Sequence, residues 1–278
     1  MYPVLFHIGP LVVPAYGFMA ALGVLACLAL LLRTAKSTGL NPNQLWNLCI
    51  VALFAAIVGS RLLLVALNWT VVRSHPAWFL DLAMVHHPLL AGVGSLCAIA
   101  AAIPYARKQG LPFQATADAL AAPVCLGLAI EEVGALLAGA GYGIETGVPW
   151  AVNYTHPLAA RWSGAPLFVP VHPVQAYAAI TFFVIALGLY AWTPHRRQPG
   201  DVVGVGLMAA GSAIFLTEFW RDPEGRGSML HGAIDMPQAV AVALVLVGAL
   251  FLRERTRPSG DGEKAAHERA LAIEVTHE

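Results

Sequence analysis

Residues 45–67 read LWNLCIVALFAAIVGSRLLLVAL, interrupted by a single charge, Arg61. About 20 consecutive apolar residues make a helix long enough to cross the hydrocarbon core of a bilayer. Similar segments recur on both sides, at 15–33, 88–106, 114–138, 172–193, 201–219 and 235–252. The pattern predicts an all-α integral membrane protein of about seven transmembrane helices with an outer loop region. The membrane domain covers 1–257, and a short polar tail follows at 258–278. The first apolar stretch lacks a basic lead-in and runs too long for a cleavable signal peptide.

Composition agrees. Of 278 residues, 58% are hydrophobic and 12% charged, with a mean hydropathy of +0.67. Soluble domains carry about 25% charge. A disordered chain and a soluble dinucleotide-binding enzyme are excluded. The net charge is zero, so no global positive field draws nucleic acid, and none is expected as a partner. Cys27, Cys49, Cys97 and Cys125 sit in apolar runs without metal-ligand spacing. They read as small buried hydrophobes, and no metal site is expected.

Basic residues set the orientation. Arg33, Lys36, Arg107, Lys108, Arg196, Arg197, Arg253, Arg255 and Arg257 follow spans one, three, five and seven. The positive-inside rule assigns those ends, and the C-terminus, to the cytoplasm and leaves the N-terminus outside. The outer connections lie near 68–87, 139–171 and 220–234. The middle one is long enough to have a task or its own small fold.

A charge in lipid costs about 2.5–3.5 kcal/mol even on mild scales, so ionisable residues within spans are functional candidates. Arg61, Asp118, Glu131, Glu132, Glu218 and Arg221 qualify. Glu218 and Arg221 share a helix face and read as a structural ion pair or as part of a site. Asp118 reads as a cap, an interfacial residue or a functional carboxylate, while Arg61 needs an anion. Before span five stands His172-Pro173-Val174-Gln175-Ala176-Tyr177. Pro173 suits a first helical turn, as does Pro14 before span one, and leaves His172 at the cap. There an imidazole either packs or accepts a proton. Arg221 and Arg226, in a Gly-rich outer segment, either grip a lipid phosphate or are solvated. Gly139, Gly141, Gly143 and Gly147 permit close backbone approach to a helix or a ligand. No internal repeat is visible, which counts against a carrier.

In this order the pieces resemble bacterial prolipoprotein diacylglyceryl transferases. The resemblance runs from Pro3 to about Arg253, through Phe6-His7-Ile8-Gly9-Pro10, Tyr16-Gly17-Phe18-Met19 and Gly59-Ser60-Arg61-Leu62. It continues through Asp118-Ala119-Leu120-Ala121-Ala122-Pro123, the His172–Tyr177 motif, and Glu218-Phe219-Trp220-Arg221 onward to Gln238. It implies transfer of a diacylglyceryl group from phosphatidylglycerol to the lipobox cysteine of an exported prolipoprotein. The implied setting is the bacterial plasma membrane, with membrane lipid as partner and no cofactor. His172, and secondarily Glu132, become candidate catalytic residues. Tyr16, Arg61, Gly143, Gln175, Tyr177, Glu218, Arg221 and Arg226 become candidate substrate-binding residues.

The chain also departs from the family pattern. Glu132 stands where the family's central signature has arginine, and Ala135 where it has asparagine. Ile214 replaces an arginine four residues before the glutamate, and Gly92-Val93-Gly94 replaces a His or Tyr followed by two glycines. Leu137-Ala138-Gly139-Ala140-Gly141-Tyr142-Gly143 is similar to a divergent branch. These departures keep an alternative open: a paralogue on the same fold that binds lipid or lipoprotein without catalysis, or with an altered substrate.

Overall fold

The computed structural model describes residues 1–9, 11–74, 88–222, 228–229 and 234–253. Arg226, residues 75–87 and the tail 258–278 lie outside the described residues. The long helices are α1 (Ala15–Ser37), α2 (Pro42–Leu67), α4 (Pro88–Lys108), α5 (Phe113–Ala138), α7 (Val174–Trp192), α8 (Asp201–Thr217) and α9 (Met236–Arg253). Two short helices, α3 (Trp69–Ser74) and α6 (Pro157–Ser163), lie between them. Among the described residues, six helical segments are long and apolar enough to cross a membrane. The 21-residue α4 is a seventh long helix. The protein is an all-α, multi-pass membrane protein.

Three two-stranded antiparallel ribbons accompany the helices: β1 (Val4–Ile8) with β2 (Leu11–Pro14), β3 (Val152–Asn153) with β4 (Pro170–Val171), and β5 (Ser228–Met229) with β6 (Ile234–Asp235). The helix starts differ from the sequence expectation in one respect. Pro14 and Pro173 are N-caps and not first-turn residues, because their ψ values of 138° and 64° are not helical. His172 therefore stands one residue before the cap of α7, and its carbonyl accepts from Val174 N at 2.9 Å.

Lipid offers no hydrophobic drive between helices, so close packing through small residues holds them together. α1 meets α5 at such a point. A Cβ on Gly23 would lie 2.8 Å from the Gly127 carbonyl oxygen. Further along the same two helices, Thr34 Oγ1 donates to Ala119 O at 2.7 Å. α8 and α9 meet the same way, since a Cβ on Gly211 would lie 2.6 Å from Ala241 O.

One end of the bundle is pinned by Asp118, whose side chain is fully buried. It accepts from Gly200 N at 2.7 Å and Val203 N at 2.9 Å, where α8 begins, and lies 3.4 Å from Arg196 Nε. Carboxylates favour helix N-termini, and these donors satisfy the buried charge. Arg196 also donates to Ser37 O and Thr38 O, each at 3.2 Å, which draws in the end of α1. Asp118 is thus a cap.

Replacing Gly23 with Leu should destabilise the bundle by about 1–3 kcal/mol, because backbone cannot yield as a side chain would. Leu25→Val, at a position 61% exposed, should leave thermal stability in detergent unchanged. A Gly23→Leu protein that melts like wild type would contradict glycine-mediated contact between α1 and α5.

Candidate functional site

The end of α5 carries Glu131 and Glu132 into the bundle. Beyond Ala138 the helix stops at Gly139, whose φ of 81° is the left-handed conformation that glycine adopts without strain. The chain then makes a clasp. Ile144 N donates to Trp220 O at 2.9 Å, Asp222 N to Tyr142 O at 3.0 Å, and His172 N to Ile144 O at 3.0 Å. Residues 142–144 are thereby held between the approach to α7 and the end of α8. Gly143 is bridged to Arg221, and a Cβ there would meet the His172 carbonyl oxygen and approach Trp220 O to 2.7 Å. No other residue fits. His172 and Arg221 consequently flank one glycine.

Arg221 reaches back from the clasp to two carboxylates. Its Nη2 lies 3.4 Å from Glu132 Oε1, and its Nε lies 3.2 Å from Glu218 Oε1. The three side chains are 20%, 14% and 4% exposed. Gly141 leaves space for the guanidinium, since a Cβ there would lie 2.8 Å from Arg221 Nη1. Glu132 Oε2 is buried and has no hydrogen-bond partner among the described residues. On the preceding residue of α5, Glu131 accepts a hydrogen bond from the hydroxyl of Tyr16 at the start of α1. Tyr16 and Glu131 thus join α1 to α5 next to the residue that pairs with Arg221. A Cβ on Gly134 would lie 3.3 Å from Tyr16 O, which shows how closely the helices approach.

His172 is half-buried. Its Nδ1 is 3.3 Å from Tyr177 Oη, which accepts from Trp150 Nε1 at 2.7 Å. The Tyr177 ring meets Trp220 edge-on at 6.5 Å between centroids. With Thr181 and Thr217, these residues line a cavity of about 420 Å³ between α7 and α8.

Gln175 does not reach this cavity. It is fully buried, and its Nε2 donates to Ala140 O at 2.8 Å and to Tyr154 Oη at 3.3 Å. Those bonds fasten the 139–171 segment to α7. Tyr154, also fully buried, centres a small core with Ala159, Ala165 and Val171. Burial pushes its phenol up to about 12, opposed by the Gln175 amide.

Arg61 lies half-buried on α2, next to Ser60, which faces Gly94 of α4. It does not line the cavity that contains His172. The structure therefore brings Glu132, Glu218 and Arg221 into one ion cluster, sets Gly143 between Arg221 and His172, and joins His172 to Tyr177. Arg226 lies outside the described residues. Trp150 and Trp220 were not singled out as site residues by their sequence. The available signal for Trp150 is the run of aromatics in its connection, Tyr142, Trp150, Tyr154 and Trp162.

The family model described as prolipoprotein diacylglyceryl transferase matches residues 3–253. A phosphatidylglycerol–prolipoprotein diacylglyceryl transferase of Clostridium tetani is 28% identical over 252 residues, covering 89% of this chain and 95% of that protein. One of the same name from Vibrio cholerae is 30% identical over 257 residues, covering 90% of each. Another from Vibrio atlanticus is 29% identical, covering 90% of this chain and 89% of the relative. With its membrane-spanning helices in place and the match extending over nearly the whole sequence, the chain belongs to the prolipoprotein diacylglyceryl transferase family.

Proposed function

We propose that this chain transfers the diacylglyceryl group of phosphatidylglycerol to the cysteine thiol of an exported prolipoprotein. The sulfur attacks the carbon of the diacylated glycerol that bears the phosphate. A C–S bond forms, the C–O bond breaks, and glycerol phosphate leaves with the electron pair. The thiol proton goes to a base. A free thiol has a pKa of about 8.5, so a base beside it raises the reactive fraction.

The observation that carries the reading is that Arg221 and His172 flank Gly143. Arg221 supplies a cation for the phosphate, held in a mostly buried setting where such contacts are strong. His172 supplies the base. If its Nδ1–H donates to Tyr177 Oη, Nε2 keeps a lone pair for the thiol proton. Tyr177 and Trp150 then fix the ring. Tyr16 acts through Glu131, and Gln175 acts by holding the clasp against α7. Arg61 and Arg226 are further cations for the donor. Glu132 is already paired with Arg221, so the donor phosphate competes with it. An unpaired carboxylate about 4 Å from the phosphate would repel it by about 4 kcal/mol at an effective dielectric of ~20.

The alternative is a paralogue that binds lipid without catalysis. What favours it is the balance at Arg221, whose charge is already met by Glu132 and Glu218. Purified protein in phosphatidylglycerol vesicles, given a peptide with a lipobox cysteine, separates the two. The proposal expects a product heavier by one diacylglyceryl group and an equivalent release of glycerol phosphate. No transfer under conditions where a family relative is active would favour the paralogue.

In the same assay Glu132→Gln should keep turnover or raise it up to about tenfold, because it removes the competing charge and preserves size. Arg221→Gln should lower turnover about 100-fold or more. An active wild type with an inactive Glu132→Gln variant would instead make Glu132 the base.

We place the protein in the bacterial plasma membrane with its N-terminus outside and its C-terminus in the cytoplasm. Lys36, Arg107, Lys108, Arg196 and Arg253 stand at helix ends on that side. A cysteine introduced by Ser259→Cys should react with a membrane-impermeant maleimide only after lysis. Labelling in intact cells would reverse the orientation.

A further inference from the structure

The ion cluster sets two carboxylates against one guanidinium. Glu132 and Glu218 lie 3.4 and 3.2 Å from Arg221. Glu131, the preceding residue on α5, adds a third carboxylate and is engaged by the Tyr16 hydroxyl. Glu132 turns one oxygen, Oε1, to Arg221, while Oε2 is buried without a hydrogen-bond partner among the described residues. A buried carboxylate oxygen that lacks a donor is costly. Glu132 also stands where the family's signature has arginine, so this chain presents an acceptor in place of a donor.

Charge decides which headgroup completes the cluster. Phosphatidylglycerol brings a phosphate for Arg221 but offers Glu132 only hydroxyls, and it adds a negative charge beside the carboxylates, which repel it. A headgroup with an ammonium two carbons beyond its phosphate adds no net charge. Its phosphate meets Arg221, and its ammonium supplies the charged donor that Oε2 lacks. The 3.4 Å between Arg221 Nη2 and Glu132 Oε1 makes these two contacts neighbours, within the span of one small headgroup. That ion pair is also long, since a tight charged N–H···O contact measures about 2.7–2.9 Å. An arriving phosphate can therefore part it and release the carboxylate to the ammonium.

We infer that Glu132 determines headgroup specificity: it binds the cation of a zwitterionic phospholipid, so that the site favours an ammonium-bearing donor while phosphatidylglycerol remains a substrate. The inference rests on the proposed transfer, with Arg221 holding the donor phosphate, and adds which donor is preferred. With phosphatidylethanolamine the sulfur attacks the same carbon. The C–S bond forms, the C–O bond breaks, the thiol proton goes to the base, and ethanolamine phosphate leaves with the electron pair.

Native mass spectrometry of the purified full-length protein tests this without requiring turnover. Wild type, Glu132→Gln, Glu132→Asp and Arg221→Gln are each offered an equimolar mixture of dioleoyl phosphatidylethanolamine and dioleoyl phosphatidylglycerol, whose chains are identical. Wild type should retain more of the ethanolamine lipid. Glu132→Gln should shift the ratio toward phosphatidylglycerol by about tenfold or more, the effect of losing one charged hydrogen bond. Glu132→Asp keeps the charge and should keep the wild-type preference, a separation that a merely structural role would not produce. A folded Glu132→Gln protein with the wild-type ratio would overturn the inference. So would a wild type that favours phosphatidylglycerol, a result that stands even if the glutamine variant does not fold. Arg221→Gln should lower retention of both lipids together. Undiminished retention in that variant would refute the phosphate contact of the proposed reaction, whereas a ratio that still depended on Glu132 would uphold the ammonium contact. Transfer from phosphatidylglycerol to a lipobox peptide, with a ratio indifferent to Glu132, would uphold the reaction and refute the inference.

Discussion

The site depends on one guanidinium shared by two carboxylates. Arg221, at the end of α8, lies 3.4 Å from Glu132 on α5 and 3.2 Å from Glu218. All three side chains are largely withdrawn from solvent, and none is stable there alone. Removing one partner of a buried pair typically costs about 3–5 kcal/mol, because the other charge is left uncompensated. The pairing therefore ties the ends of two helices that are far apart in sequence. The clasp through Gly143 repeats the tie in the backbone, and the absence of a side chain at Gly141 makes room for it.

The opposite end of the bundle solves a similar problem differently. Asp118 is fully buried, yet two backbone amides and Arg196 satisfy it. Its donors come from a helix start that has no other use for them. Arg221 is more available. Its partners are side chains, its contacts are longer, and one oxygen of Glu132 has no hydrogen bond among the described residues. A ligand anion can replace a side-chain carboxylate more easily than it can displace a capped one. The same chemistry thus gives a fastening at one end and a candidate site at the other.

The helical architecture was legible because a bilayer demands long apolar runs, and the sequence supplies them with charges at their ends. The cost of a charge in lipid also singled out Glu132, Glu218 and Arg221. Their pairing was only one option, since 89 positions separate Glu132 from Arg221. The ribbons were not legible: four of the six strands are only two residues long, and Val4–Ile8 and Leu11–Pro14 are apolar runs without a clean polar alternation. Gln175 was not legible either. Its position looked like a site residue, but its burial depends on the 139–171 segment folding over α7 around Tyr154. The His172 motif suggested a helix cap, and one dihedral angle at Pro173 moved the cap by a residue. Trp150 and Trp220 converge on Tyr177 only through the tertiary fold.

The central claim is that Glu132 and a donor phosphate compete for Arg221. It is tested most directly by a double-mutant cycle on phosphatidylglycerol affinity, measured in nanodiscs of a neutral lipid. The forms are wild type, Glu132→Gln, Arg221→Gln and the double variant. The account predicts tighter binding for Glu132→Gln, weaker binding for Arg221→Gln, and an effect of Glu132→Gln that differs between the two backgrounds, a coupling of about 0.5–3 kcal/mol. Additive effects, with Glu132→Gln changing affinity equally in both backgrounds, would contradict it.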